Sequence, residues 1–361
     1  MNIMPSLKIG DLIAKIPIIQ GGMGVGISMS GLAAAVANQG GIGVISTVGL
    51  AGVFPIEGMN YREANTIVLK EQIRKARSLT DGIIGLNIMV ALSNFEDMIK
   101  TAFEEKVDIV FLGAGLPLKL PFSFKDDFYK NAKTKVGLIA SSSRSASFMI
   151  KHWVEKLFKA PDCIVVEGPK AGGHLGFKPE QIEDPDFQLE KLIPEIKKTV
   201  VELEEKYSVK IPVIAAGGIY DGKDMYNIMK LGADGVQLGT RFVATYECDA
   251  DIAFKNAYVE SKESDIGVIK SPLGLPGRAI INSFLKDVAN GERKPFQCPW
   301  KCLQPCDFKT APYCIANALL NSQKGNLNEG FAFSGANAYK IDKICSVKDV
   351  FDEFIRDYQN A

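Results

Sequence analysis

Eight short apolar runs, each leading into a helical or loop-plus-helix stretch, recur between residues 16 and 240 of this 361-residue chain. They fall at 16–20, 41–46, 83–88, 108–113, 135–141, 164–167, 212–218 and 235–240. They read as apolar on both faces, as strands of a buried parallel sheet must be. Helical periodicity follows in an Ala-rich segment at 30–38, a charged stretch ending near 79, and 144–158. This alternation predicts an α/β fold, a (β/α)8 TIM barrel of about 250 residues. A doubly wound open sheet is the alternative. The count stops at eight, and Gly or polar residues end many different strands. In a barrel those ends converge on one site, whereas an open sheet offers one crevice.

The alternation is lost from about residue 250. We place the barrel at 1–261 and a C-terminal extension, packed on it, at 262–361. The extension holds a turn-rich stretch at 271–279 and four of the seven cysteines. Lys+Arg and Asp+Glu both total 42. A chain without basic surplus does not suit a general nucleic-acid binder. No signal peptide or membrane span is read, so a cytoplasmic protein without a membrane partner is expected. A small-molecule substrate is expected, and a homodimer is allowed.

The loop after the sixth strand, Gly168-Pro169-Lys170-Ala171-Gly172-Gly173-His174, is rich in small residues and ends on one of only two histidines. Small residues let backbone approach a flat ligand, and an imidazole suits acid/base work near neutral pH. His152, inside the 144–158 helix, is read as having no site role. Gly217-Gly218 ends the seventh strand, and Gln237-Leu238-Gly239-Thr240 the eighth. These two loops often cradle a phosphate in barrels. Gln20-Gly21-Gly22-Met23 ends the first strand, and Asn87 lies near the end of the third. Side-chain amides can donate to and accept from a ring edge, and a thioether can lie against the ring. Together these features favour a phosphorylated planar cofactor, FMN. Tight packing alone also favours glycine, but three Gly-Gly loops on one barrel face argue for a ligand.

The segments 17–23, 85–87, 167–174, 215–219 and 235–242, with Gly277-Arg278-Ala279 downstream, resemble motifs of the nitronate monooxygenase (2-nitropropane dioxygenase) family. Flavin-dependent enoyl-acyl-carrier-protein reductases and quinone reductases are related to it. The resemblance covers about 12–285 and implies an FMN-containing barrel with His174 as acid/base. It places Gln20, Gly22, Met23, Asn87, Glu167, Gly172 and Gly173 along the flavin, with Gly21 and Gln237 beside them. Gly217, Gly218, Gly239 and Thr240 would surround its phosphate. Pro169-Lys170 replaces a small or acidic pair, and the 47–60 insertion is longer than in compact enoyl reductases; both bear on the substrate. Oxidation of alkyl nitronates with O2 is the expected activity. NAD(P)H-dependent enoyl or quinone reduction at the same site is the second reading, and a non-catalytic flavin-binding protein the third.

Cys298, Cys302, Cys306 and Cys314 follow a C-x3-C-x3-C-x7-C spacing. Four thiolates so close in sequence could hold zinc or an iron–sulfur cluster. Buried structural cysteines or a redox disulfide are the alternatives.

Overall fold

The computed structural model describes residues 2–294, 296–298 and 300–361. Its centre is a closed barrel of eight parallel strands. They are β1 (Ile18–Gln20), β2 (Ile42–Ser46), β3 (Ile83–Met89), β4 (Ile109–Gly113), β5 (Lys135–Ala140), β6 (Cys163–Glu167), β7 (Val213–Ala216) and β8 (Gly235–Leu238). The expected (β/α)8 barrel is therefore the fold observed. Each strand pairs with the next, and β8 closes on β1 through Val236 and Ile18. Closure leaves the barrel without a free sheet edge. β7 and β8 stop earlier than their apolar runs suggest. Gly217 and Gly218 adopt φ of +94° and +85°, outside any strand conformation.

Alternate strand residues fill the barrel. Ile19, Val44, Phe111, Val165 and Ile214 share one buried cluster with Leu7, Ile9 and Ala14. The last three come from a small hairpin, Leu7–Ile9 with Leu12–Ala14, that precedes the barrel. The opposite strand faces pack under the helices in a second, larger cluster. Helix Ser30–Asn38 has no side-chain cap of its own. Asp249, from the segment after β8, accepts from Met29 N at 2.9 Å and Leu32 N at 3.3 Å instead. A distant carboxylate thereby satisfies amides that the local sequence leaves open.

The extension is wound into this architecture. Its last helix, Val347–Gln359, starts in a capping box in which Ser346 Oγ accepts from Asp349 N at 3.0 Å. It packs between Ser30–Asn38 and Gly222–Lys230. Phe351 lies 6.0 Å from the Phe242 ring, and Arg241 Nη2 donates to Glu353 at 2.8 Å. A Cβ at Gly222 would come within 2.1 Å of Phe354 O, so that approach requires glycine. Upstream, strands Ile266–Lys270 and Pro276–Ile280 form an antiparallel pair, to which Gly173–His174 adds a third strand. No described helix is long and apolar enough to cross a membrane.

Candidate active site

The parallel register brings the strand ends to one level. Ser46 pairs with Asn87, Ala216 with Glu167, and Leu238 with Gln20. Those ends open into a cavity of about 800 Å3. Gly21, Gly22, Met23, Asn87 and Glu167 line it. So do Gly172, Gly173 and His174 from the β6 loop, and Gly217, Gly218, Gln237, Gly239 and Thr240 from β7 and β8.

Gln20 departs from expectation. It is fully buried and is not on the cavity wall. Its Oε1 accepts from Val44 N at 3.0 Å, and its Nε2 donates to Gly21 O at 2.5 Å. An amide expected along a ring edge is spent on tying β1 to β2. Asn87 does reach the cavity, but its Nδ2 also donates to Gly22 O at 3.0 Å. At the β7 end, the positive φ values of Gly217 and Gly218 bend the chain toward the β6 loop. A Cβ on Gly217 would lie 2.9 Å from Ala171 N.

Three polar residues stand on the wall. His174 is half-buried, and its Nε2 is shielded without a hydrogen-bond partner. Burial lowers its pKa below 6.5, which favours the neutral imidazole at pH 7. Glu167 is half-buried at the end of β6, on the cavity wall. Burial pushes its carboxyl up to about 7. Ser46 is fully buried, and its Oγ also has no partner.

Sequence reasoning missed Ser46. The sequence offers only its place at the end of the second apolar run; the register that sets it beside Asn87 comes from the fold. It also missed the wall built by the extension. Leu275, Leu303, Ile315, Leu319 and Phe333 add apolar surface, and Gly335 and Asn337 close on the β6–β8 loops. Gly335 N donates to Thr240 Oγ1 at 2.9 Å, and Asn337 Nδ2 to Gly218 O at 2.7 Å. Ile315 and Leu319 sit on helix Ile315–Gln323, while Leu275, Leu303, Phe333, Gly335 and Asn337 belong to irregular segments with no local sequence signature. His152 lies apart, its Nε2 2.8 Å from Leu118 O.

The metal expectation for the cysteines is not met. Among the described residues, no group of three or more His, Cys, Asp or Glu side chains is placed to hold a metal ion. Cys298, Cys302, Cys306 and Cys314 are all free and half-buried; Pro299, between the first two, lies outside the described residues. Burial pushes Cys302 up to about 12, and the nearby Cys314 and Cys298 thiols add to this. Other contacts set the loop's path. Ser93 N donates to Cys302 O at 3.0 Å, Leu303 bridges Leu92, and Trp300 stacks on Tyr61 with ring centroids 5.5 Å apart. Of the four, Cys302 reaches the cavity wall.

A closed parallel barrel, its strand ends opening on a glycine-lined cavity with one imidazole on the wall, defines the class of (β/α)8-barrel enzymes. A family model described as nitronate monooxygenase matches residues 6–357, and the chain belongs to that family. A probable nitronate monooxygenase of Staphylococcus aureus (strain MSSA476) is 29% identical over 313 residues, covering 76% of this chain and 78% of that protein. The corresponding protein of strain Newman is 30% identical with the same coverage. Among solved structures, FabK from Thermotoga maritima is 29% identical, with a TM-score of 0.73 over 95% of this chain and 93% of that one. Nitroalkane oxidase from Streptomyces ansochromogenes shares the fold, at 19% identity and a TM-score of 0.70 over 95% and 96% of the two chains.

Proposed function

We propose that the chain is an FMN-dependent oxidoreductase that oxidises alkyl nitronates, with His174 as its acid/base group. The observation that carries this is the shared cavity: His174 and the glycine-lined ends of β7 and β8 line one space. Family membership supports the same chemistry. The residues present suit a flavin nucleotide. Bare backbone at Gly217, Gly218 and Gly239 admits a phosphate, and Lys170 stands beside Gly218 on the wall. Ser46 and Asn87 are register partners at the ends of β2 and β3, and Asn87 stands on the wall where a heteroaromatic edge would lie. In this reading, the 1–261 barrel holds the nucleotide and the 262–361 extension closes its site.

When bound, FMN would accept an electron pair from the substrate and deliver it to O2. His174 removes the α-proton from a neutral nitroalkane and holds it on the imidazole. Its depressed pKa keeps the base form available at neutral pH. Glu167, close to half protonated near pH 7, can donate a hydrogen bond where a carboxylate could only accept. The apolar residues of the extension exclude water and take the alkyl group.

That apolar wall also favours a second reading. Leu275, Leu303, Ile315 and Leu319 could seat an acyl chain, and NAD(P)H would then be the donor for reduction of an enoyl thioester. Steady-state assays separate the two. Oxygen consumption with ethyl nitronate is expected. NADH oxidation with crotonyl thioester, and no nitronate turnover, would replace the first reading with the second. A flavin-bound protein active with neither pair would be the non-catalytic binder.

A further inference from the structure

Three stretches of backbone meet at Arg278. It pairs with Gly173 across the antiparallel ladder, while Gly277 pairs with His174. Leu175 N donates to Pro276 O at 2.9 Å, and Ser334 N donates to Arg278 O at 3.0 Å. The side chain turns the other way along the same loop: its Nη2 donates to Pro169 O at 3.0 Å. One residue thus touches the loop before His174 through its guanidinium and beside His174 through its backbone. It also anchors the segment carrying Phe333, whose ring lies 5.2 Å from the imidazole.

An ion pair does not account for this arginine. It is 6% exposed, and burial works against its charge. Glu183 stands 3.6 Å away, but its side chain is 83% exposed. A pair so long and so wet contributes little. The Pro169 carbonyl is the nearer and better shielded partner, and it belongs to the loop that delivers the histidine.

We propose that Arg278 is a positioning residue for His174, fastening the 169–175 loop to the extension and so setting where the imidazole stands. The proposal rests on the reading of His174 as the acid/base group. It makes the extension part of the machinery, since the clamp lies outside the eight barrel strands.

The test uses the FMN-loaded full chain and the variants Arg278→Met, Arg278→Lys and Glu183→Gln. Hydrogen exchange is followed in peptides covering 168–176, alongside turnover of neutral nitroethane, whose α-proton must be removed. Arg278→Met should speed exchange in that loop about tenfold or more while the barrel strands keep their protection. It should lower kcat by about 100-fold with KM changed less than about threefold, as expected when a reacting group is misplaced while substrate binding survives. Lysine can still donate to Pro169 O, so Arg278→Lys should recover much of both effects. Glu183→Gln should match the wild type. Wild-type exchange in the loop of Arg278→Met, or a rise spread evenly over the barrel, overturns the proposal. Should the methionine variant not fold, Arg278→Gln, whose shorter side chain gives up the guanidinium's reach to Pro169 O, is compared with wild type: exchange raised in this loop alone supports the clamp, and unchanged exchange overturns it. The exchange arm needs no substrate. Full turnover of neutral nitroethane by His174→Ala would remove the acid/base reading while leaving the exchange result intact.

Discussion

His174 and Gly277 are paired backbone to backbone, although one belongs to the loop after β6 and the other to the extension. The imidazole is therefore held from outside the barrel. The pairing also explains a feature of Gly277 itself, where a Cβ would lie 2.9 Å from the Phe333 ring. Substituting His174 should disable chemistry without dismantling the cavity. We expect His174→Ala to bind FMN normally and to lose about 10²- to 10⁴-fold in kcat with a neutral nitroalkane, the usual reach of general-base catalysis. Much of the loss should vanish with preformed nitronate, which has no α-proton to remove.

The pH profile follows from the same burial. The folded pKa of His174 lies below 6.5, and the base is the neutral form. Activity with neutral nitroalkane should thus rise as pH increases through a midpoint below 6.5, and be lost below it. A kcat/KM profile of the free enzyme reads that midpoint directly. A midpoint above 6.5 would contradict the buried setting.

Glu167 makes a separate prediction about stability. Its folded pKa of about 7 lies above the ordinary 4.5. A carboxyl with a raised folded pKa favours the folded state fully below the unfolded value, and that contribution is lost as pH rises through about 7. Glu167→Gln should consequently gain Tm relative to the wild type at pH 8 and show no such gain at pH 4. Thermal melts of cofactor-free protein at the two values test this.

The phosphate end can be probed through backbone alone. Gly217 has φ +94°, and a Cβ there would meet Ala171 N at 2.9 Å. Gly217→Ala should weaken FMN at least about tenfold, a loss of about 1.4 kcal/mol. Riboflavin, which lacks the phosphate, should lose less. Fluorescence titration of apoprotein with both ligands distinguishes them, and equal losses would place the phosphate elsewhere.

Asp249 should matter to the fold well away from the chemistry. It caps the Ser30–Asn38 helix from across the barrel seam. Asp249→Ala leaves those amides without their acceptor and should cost about 1–3 kcal/mol by denaturant unfolding. Asn at this position keeps an acceptor and should recover part of the loss.

Much of this architecture is legible along the chain, because it depends on local pattern. Runs such as 42–45 and 109–113 are apolar throughout since each strand is covered on both sides, and that covering is what makes a parallel barrel readable. The glycines at 172–173 and 217–218, and His174, stand where strand ends must converge, so strand counting alone brings them to one face. Other assignments needed coordinates. Gln20 looked like a ring contact, yet its amide turns sideways into the β1–β2 ladder. Ser46 acquires meaning through its register with Asn87. The four cysteines follow a ligand-like spacing, and the contacts of their loop with Leu92, Ser93 and Tyr61 are visible only in the folded chain. The extension's role lay furthest from view. Local periodicity records which face of a segment is buried, whereas the partner that buries it is chosen by contacts between distant residues. Phe351 meeting Phe242, and Arg278 meeting Pro169, exist only once the chain has closed on itself.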